Sequence, residues 1–191
     1  MLLSAIAENF NVSCLPRAAD VALEWRATHV ISMLDPELDD RHVPLIRDAE
    51  HLVVRLRDQE NPAATRHFPE LVLDLFGRVQ PIVERPDTRI LVHCHAGVSR
   101  STAFAYVMIA HRAGPGREHE AFDALMTIVN KPWPNRRIVE ILDRNWGRSG
   151  ALLAPLDAMR LRHPARIRAW RRFNERRGLY GMQGHHGRYE R

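Results

Sequence analysis

RILVHCHAGVSRST, residues 89–102, reads as an apolar strand, a short turn and the start of a helix. Arg89 to Cys94, with Ile90, Leu91 and Val92 at its centre, has the character of a buried strand, and Ser99 to Arg112 has the pattern of a helix. A cysteine at this junction meets the unpaired backbone N–H groups and the positive dipole end of the helix that follows. Such surroundings favour the thiolate, so Cys94 is expected to be a nucleophile at neutral pH. The same N–H groups suit a phosphate dianion. Gly97 lets the turn point its N–H groups inward, in a conformation where a side chain would clash. Arg100 lies six residues after Cys94 and can grip two phosphate oxygens at once, which lysine cannot reproduce. A structural cysteine beside a helix cap is the plain alternative, and it leaves Gly97 and Arg100 without a reason.

Outward from this segment, short β-type runs alternate with longer stretches of helical period. That alternation predicts an α/β domain with a central, largely parallel sheet flanked by helices. Strands are expected at Asn11 to Cys14, His29 to Leu34, Leu52 to Leu56 and Arg89 to Cys94. Helices are expected at Arg17 to Arg26 and Pro69 to Glu84, the second with Leu71, Leu75, Val79, Ile82 and Val83 on one face. Beyond Cys94 the pattern is wholly helical, over Ser99 to Arg112, Glu118 to Asn130 and Asn135 to Trp146. Gly114-Pro115-Gly116 and Pro132-Trp133-Pro134 punctuate it. Gly147 to Gly150 marks the expected end of the compact domain, giving a domain over 1–150 and a basic, partly helical tail over 151–191.

The chain has 191 residues, 45% of them hydrophobic, enough to bury one core. No apolar run reaches the roughly 20 residues of a membrane span, and the opening MLLSAIAE lacks the basic start of a signal peptide, so a cytoplasmic protein with no transmembrane segment is expected. Cys14 and Cys94 are the two cysteines, too few for a disulfide-stapled module or a multi-cysteine zinc site. The net charge of +5 is uneven: from Pro155 onward ten arginines face three acidic residues, so a mildly acidic body carries a basic end. There Ile167, Trp170 and Phe173 recur at helical spacing, with Gly178 as the stop. Such a helix packs its apolar stripe on the domain or on a second copy of the chain, or its arginines recruit an anionic partner: a phosphorylated acidic protein, a membrane surface or nucleic acid.

His93, Cys94, Arg100 and Ser101 fit the pattern His-Cys, five residues, Arg, then Ser or Thr. The stretch resembles the signature loop of the cysteine-dependent protein tyrosine phosphatase superfamily. The resemblance spans roughly residues 10–146, includes ISMLDPE at 31–37, and is closest to the compact, dual-specificity-like bacterial branch. It implies a phosphatase fold and hydrolysis of phosphate monoesters without metal or cofactor. In it Cys94 forms a phosphocysteine, Arg100 stabilises the transition state, His93 orients the loop, and Ser101 hydrogen-bonds the departing thiolate. His95, Ala96, Gly97, Val98 and Ser99 complete the phosphate cradle with Arg100.

The resemblance also implies an aspartate on a separate loop as general acid. Asp58 in HLVVRLRDQENP matches, 36 residues before Cys94, on a Leu- and Val-rich strand that delivers it to the same sheet edge. Glu60 and then Asp48 are the substitutes, and a solvated loop acid is the plain reading. Asn135 in KPWPNRRI stands where dual-specificity relatives carry an asparagine that supports the signature loop or the second-step water. It is equally an N-cap.

The loop residues 95–99 include no lysine, which favours phosphotyrosine, phosphoserine or phosphothreonine in proteins, or small phosphate esters, over phosphoinositides. A rhodanese-type sulfurtransferase and a non-catalytic phosphopeptide-binding module share parts of such a loop; neither accounts for Arg100, Ser101 and Asp58 together. His93 and His95 flank Cys94 across a strand end, a poor arrangement for a metal, and His95 is expected at the pocket mouth or in solvent. Cys14 reads as a buried strand residue, with a disulfide that protects Cys94 from irreversible oxidation as the alternative.

Overall fold

Four strands form one sheet in the order β1-β4-β2-β3: β1 Phe10–Cys14, β2 His29–Leu34, β3 Glu50–Arg55 and β4 Ile90–Cys94. They belong to a computed structural model that describes residues 3–63 and 66–176. Every pairing is parallel, so each strand end that carries chemistry points to the same edge. The central strands β2 and β4 are buried at every position, while the edge strands β1 and β3 are partly open, as their sequences require. The third strand begins two residues before the expected Leu52 and ends at Arg55; the Leu56 N–H still bonds the Leu34 carbonyl at 2.8 Å.

The helices are α1 (Leu3–Ala7), α2 (Ala18–Glu24), α3 (Phe68–Val83), α4 (Arg100–Ala113), α5 (Glu118–Ile128), α6 (Arg136–Asn145), α7 (Leu153–Arg162) and α8 (Arg166–Arg176). α4 is buried at every position from Arg100 to Ala110, which makes it the centre of the core rather than a surface helix. Small Ala103, Ala105 and Ala110 let neighbouring elements close on it, between the larger Phe104, Tyr106, Met108 and Ile109. The apolar stripe of α3 is rotated from the expected one. Leu71 is 43% exposed, and Val72 and Phe76 join Leu75, Val79 and Val83 in the core. α1 was not expected from the sequence; its Ile6 and Ala7 are buried.

The compact domain ends later than Gly147–Gly150. Gly147, Ser149 and Gly150 all adopt positive φ and turn the chain back. The Asp143 carboxylate then accepts from the Gly150 N–H at 2.6 Å and the Leu152 N–H at 3.0 Å, and the Tyr106 hydroxyl reaches the Leu152 carbonyl at 3.0 Å. Leu152, Leu156 and Met159 are core residues. Among the described residues of the expected tail, α8 contributes none to this core. In α8, Ile167 and Trp170 are half-buried and Asn174 is buried, while Phe173, expected on the packed stripe, is 49% exposed. Trp170 Nε1–H donates to the Lys131 carbonyl at 2.7 Å. Arg168, Arg171, Arg172 and Arg176 are exposed. The stop expected at Gly178 lies outside the described residues. No helix among the described residues is long and apolar enough to cross a membrane.

Candidate active site

Cys94 ends β4 and Arg100 opens α4, so the turn between them sits at the carboxyl edge of the parallel sheet, where such sheets place ligands. The loop's carbonyls are tied to its outer side. His95 O accepts from Leu15 N–H at 3.0 Å, Val98 O from Trp133 N–H at 3.0 Å and Ser99 O from Asn135 N–H at 3.2 Å. Anchored this way, the turn holds its N–H groups beside the N-terminus of α4. Ser99 occupies the N-cap position yet makes no capping bond. Cys94 is 2% exposed, and its Sγ lies 3.2 Å from the buried Ser101 Oγ.

Gly97 has φ +70°, and a Cβ built there would lie 2.7 Å from Ser13 O and 2.9 Å from Ser13 C. Both neighbours are backbone, so the loop must lift off β1 to admit a methyl group. Gly97→Ala is therefore expected to lower the melting temperature by roughly 4 °C or more with the circular dichroism spectrum unchanged. A wild-type melting temperature would show that the turn does not depend on the close approach to β1.

Arg100 is 3% exposed and carries its charge inside the fold. Its Nη1–H donates to Asp35 Oδ1 at 2.8 Å and also to the Leu56 carbonyl. Burial opposes the charge, but Cys94, Asp58 and Asp35 together outweigh it and raise the guanidinium above its ordinary pKa. Its buried Nε–H has no hydrogen-bond partner among the described residues, which leaves a donor for an anion in the loop. Asp35, just beyond β2, is held in turn by Arg55, whose Nη1–H reaches the Asp35 carbonyl at 3.1 Å and the Leu38 carbonyl at 2.8 Å.

His95 is 4% exposed, so it is neither solvated nor at an open mouth. Its Nε2 accepts from the Asp35 N–H at 3.2 Å, which places the ring proton on Nδ1. His93 is also buried. Its Nδ1–H donates to the Cys94 carbonyl at 3.4 Å, so its Nε2 accepts from the Ser32 hydroxyl at 2.5 Å; Ser32 Oγ in turn accepts from His51 Nε2–H at 2.7 Å. Burial first, then neighbouring charge that includes Arg100, pushes both His93 and His95 down to about 4.

The unfolded chain therefore binds more protons than the folded one between about pH 6.5 and 4. Stability from these neutral rings is complete above the upper value and lost as pH falls through the lower one. The thermal stability advantage of the wild-type chain over His95→Gln is expected to narrow from pH 7 to pH 4. A difference independent of pH would contradict the neutral, buried state of the ring.

Asp58, half-buried on the loop after β3, lies over the Cys94–Arg100 turn. Its Oδ1 accepts from Ser99 Oγ–H at 2.8 Å and Asn135 Nδ2–H at 2.7 Å. Asn135 also caps α6, its Oδ1 accepting from Ile138 N–H at 3.0 Å. The two substitutes for Asp58 are displaced by geometry. Glu60 turns to the other side of its loop, where it accepts from Arg136 N–H at 2.8 Å and pairs with Arg160. Asp48 precedes β3 and so stands at the opposite end of the parallel sheet from Cys94. Cys14 is half-buried rather than buried, and it pairs directly with Cys94 in the β1–β4 register; no disulfide joins the two.

Asp35, Ser32 and His51 take part in the site without having been singled out from the sequence. Two of them lie within ISMLDPE, and all three stand on β2 and β3 or just beyond. The position of Asp35 immediately after a central parallel strand is the signal that could have found it.

No family model and no curated protein matches the sequence. Solved structures do match. A mouse putative dual specificity phosphatase complexed with zinc tungstate aligns with TM-score 0.55 and 19% identity, over 78% of this chain and 89% of that one. Human DUSP28 aligns with TM-score 0.54 and 18% identity, over 73% and 88%. The PTP-2 phosphatase of Cydia pomonella aligns with TM-score 0.53 and 22% identity, over 73% and 86%. The parallel sheet and the helices packed around it thus have a dual-specificity-phosphatase-like fold.

Proposed function

We propose that the chain is a phosphatase that hydrolyses phosphate monoesters, with phosphotyrosine and also phosphoserine or phosphothreonine in proteins as substrates, through a phosphocysteine. The observation that carries this reading is the convergence on one turn of the Cys94 thiol, the unpartnered Arg100 Nε–H and the Asp58 carboxyl group. The phosphate dianion sits against the loop N–H groups and Arg100. Cys94 Sγ attacks phosphorus in line with the leaving oxygen, the P–O bond breaks, and Asp58 gives its proton to that oxygen. Asp58, now a carboxylate, takes a proton from the water that attacks phosphorus, and the S–P bond breaks while the Ser101 hydroxyl hydrogen-bonds the departing thiolate. The cradle and the guanidinium supply the charge stabilisation for which other phosphoryl-transfer enzymes use Mg²⁺. The exposed arginines of α8 suit acidic phosphoproteins.

Turnover of p-nitrophenyl phosphate in excess chelator tests the reading, and full activity is the expected result. Activity restored only by an added divalent cation, or sulfur transfer from thiosulfate to cyanide in its place, would contradict it. The register of Cys14 with Cys94 supports a protective disulfide: neighbouring strands lie about 4.8 Å apart, within the roughly 4.4–6.8 Å that a disulfide spans between Cα atoms. Mild peroxide is expected to yield a Cys14–Cys94 linked peptide by mass spectrometry and activity recoverable with thiol. Cys14→Ser should instead proceed to irreversible loss.

A further inference from the structure

The loop that carries Asp58 has no regular secondary structure between β3 and α3 among its described residues, so its position must be set by side-chain anchors. Beyond Asp58 its internal bonds are local: Asn61 N–H to Gln59 Oε1 and Ala63 N–H to Asn61 Oδ1. From Asp58 onward, three consecutive residues attach the loop to the body. Asp58 is held by Ser99 and Asn135, the Gln59 carbonyl accepts from Asn135 Nδ2–H at 3.4 Å, and Glu60 accepts from Arg136 N–H.

Glu60 has a further partner from far along the chain. Arg160 of α7 forms a two-point pair with it, Nη1–H to Oε2 at 3.1 Å and Nη2–H to Oε1 at 2.5 Å. The same guanidinium donates to the Pro134 carbonyl at 2.8 Å and lies 4.8 Å from the centre of the Trp133 ring. Its side chain is only 17% exposed, against 42% for Glu60. A planar fork held on three sides is a fixed point, and a lysine could not make the same contacts. Trp133 and Pro134 belong to the strap that also bonds Val98 and leads to Asn135. Arg160 therefore touches both the acid loop and the strap behind the signature turn.

We infer that Arg160, with Glu60, is a positioning residue for proton delivery: it docks the acid loop on α6 and keeps Asp58 over Cys94. This inference rests on Asp58 being the general acid. It means that α7, a helix from the segment read as tail, takes part in setting the acid step. Loosening the clamp slows the transfer of a proton to a basic leaving oxygen. It leaves the attack of Cys94 on a substrate with an acidic leaving group nearly untouched, because that oxygen departs without help.

The test is the dependence of kcat/KM on leaving-group basicity in the full chain, from p-nitrophenyl phosphate to phenyl phosphate, for Arg160→Gln, Glu60→Gln and the double variant, with Asp58→Asn alongside. Both single variants are expected to lose about 10-fold or more on phenyl phosphate, less than Asp58→Asn, and little on p-nitrophenyl phosphate. The double variant should lose less than the two single losses combined, since both singles remove the Arg160–Glu60 pair. A merely structural role would lower both substrates equally. Glu60 is surface-exposed, so its variant reports even where Arg160→Gln fails to fold. Equal loss on both substrates in Glu60→Gln, or no loss on either, while Asp58→Asn keeps its steep dependence, overturns the clamp and spares the phosphatase reading. A flat dependence in Asp58→Asn overturns the general acid itself.

Discussion

Cys94→Ser is expected to abolish turnover of every phosphate ester while leaving ester binding within a few-fold of wild type. The side chain is 2% exposed, and the substitution changes one atom inside a loop whose carbonyl anchors lie on Leu15, Trp133 and Asn135. The cradle and the Arg100–Asp35 pair stay in place. A serine hydroxyl remains protonated at neutral pH and cannot replace the thiolate as nucleophile. Arg100→Lys separates the two contributions differently. A lysine presents a point charge and cannot hold both Asp35 and an anion in the loop, so binding and rate should both fall, the rate by roughly 10²- to 10³-fold or more. Binding is measured by titration with inorganic phosphate and rate with p-nitrophenyl phosphate. Robust turnover by Cys94→Ser would remove the nucleophile from the mechanism.

Asp58→Asn is expected to cost roughly 10² to 10⁴ in kcat/KM on phenyl phosphate, and much less in kcat/KM on p-nitrophenyl phosphate, whose leaving group needs no proton. Asparagine keeps an oxygen to accept from Ser99 and Asn135, so the loop geometry survives and the loss reports the proton. Because Asp58 gives up its proton in the first step, the loss should grow with the basicity of the leaving oxygen. A steeper leaving-group dependence in Glu60→Gln than in Asp58→Asn would show that the proton is assigned to the wrong carboxylate here.

The strand–turn–helix of the site could be read from residues 89–102 because three independent requirements coincide there: a buried strand, a glycine at a turn and a cation at fixed spacing. The four strands were legible for the same kind of reason, since a parallel sheet demands short apolar runs divided by crossover segments. What could not be read depends on contacts between distant parts of the chain. Asp35 gains its meaning only when β2 and α4 meet, and Ser32 only between His51 and His93. The end of the domain was misplaced because α7 buries just Pro155, Leu156 and Met159 of its ten residues, too sparse a stripe to signal core. Phe173 was assigned to the packed face of α8 by spacing alone, whereas the fold buries Asn174 there.

The central claim is a covalent phosphocysteine at Cys94. Acid quench of the Asp58→Asn variant during turnover of p-nitrophenyl phosphate, followed by proteolysis and mass spectrometry, measures it directly, since loss of the base that activates water should let the intermediate accumulate. A single phosphoryl adduct on the peptide that contains Cys94, absent from Asp58→Asn combined with Cys94→Ser, is the predicted result. No adduct at any time point, with the phosphate product still released by the doubly substituted chain, would contradict it.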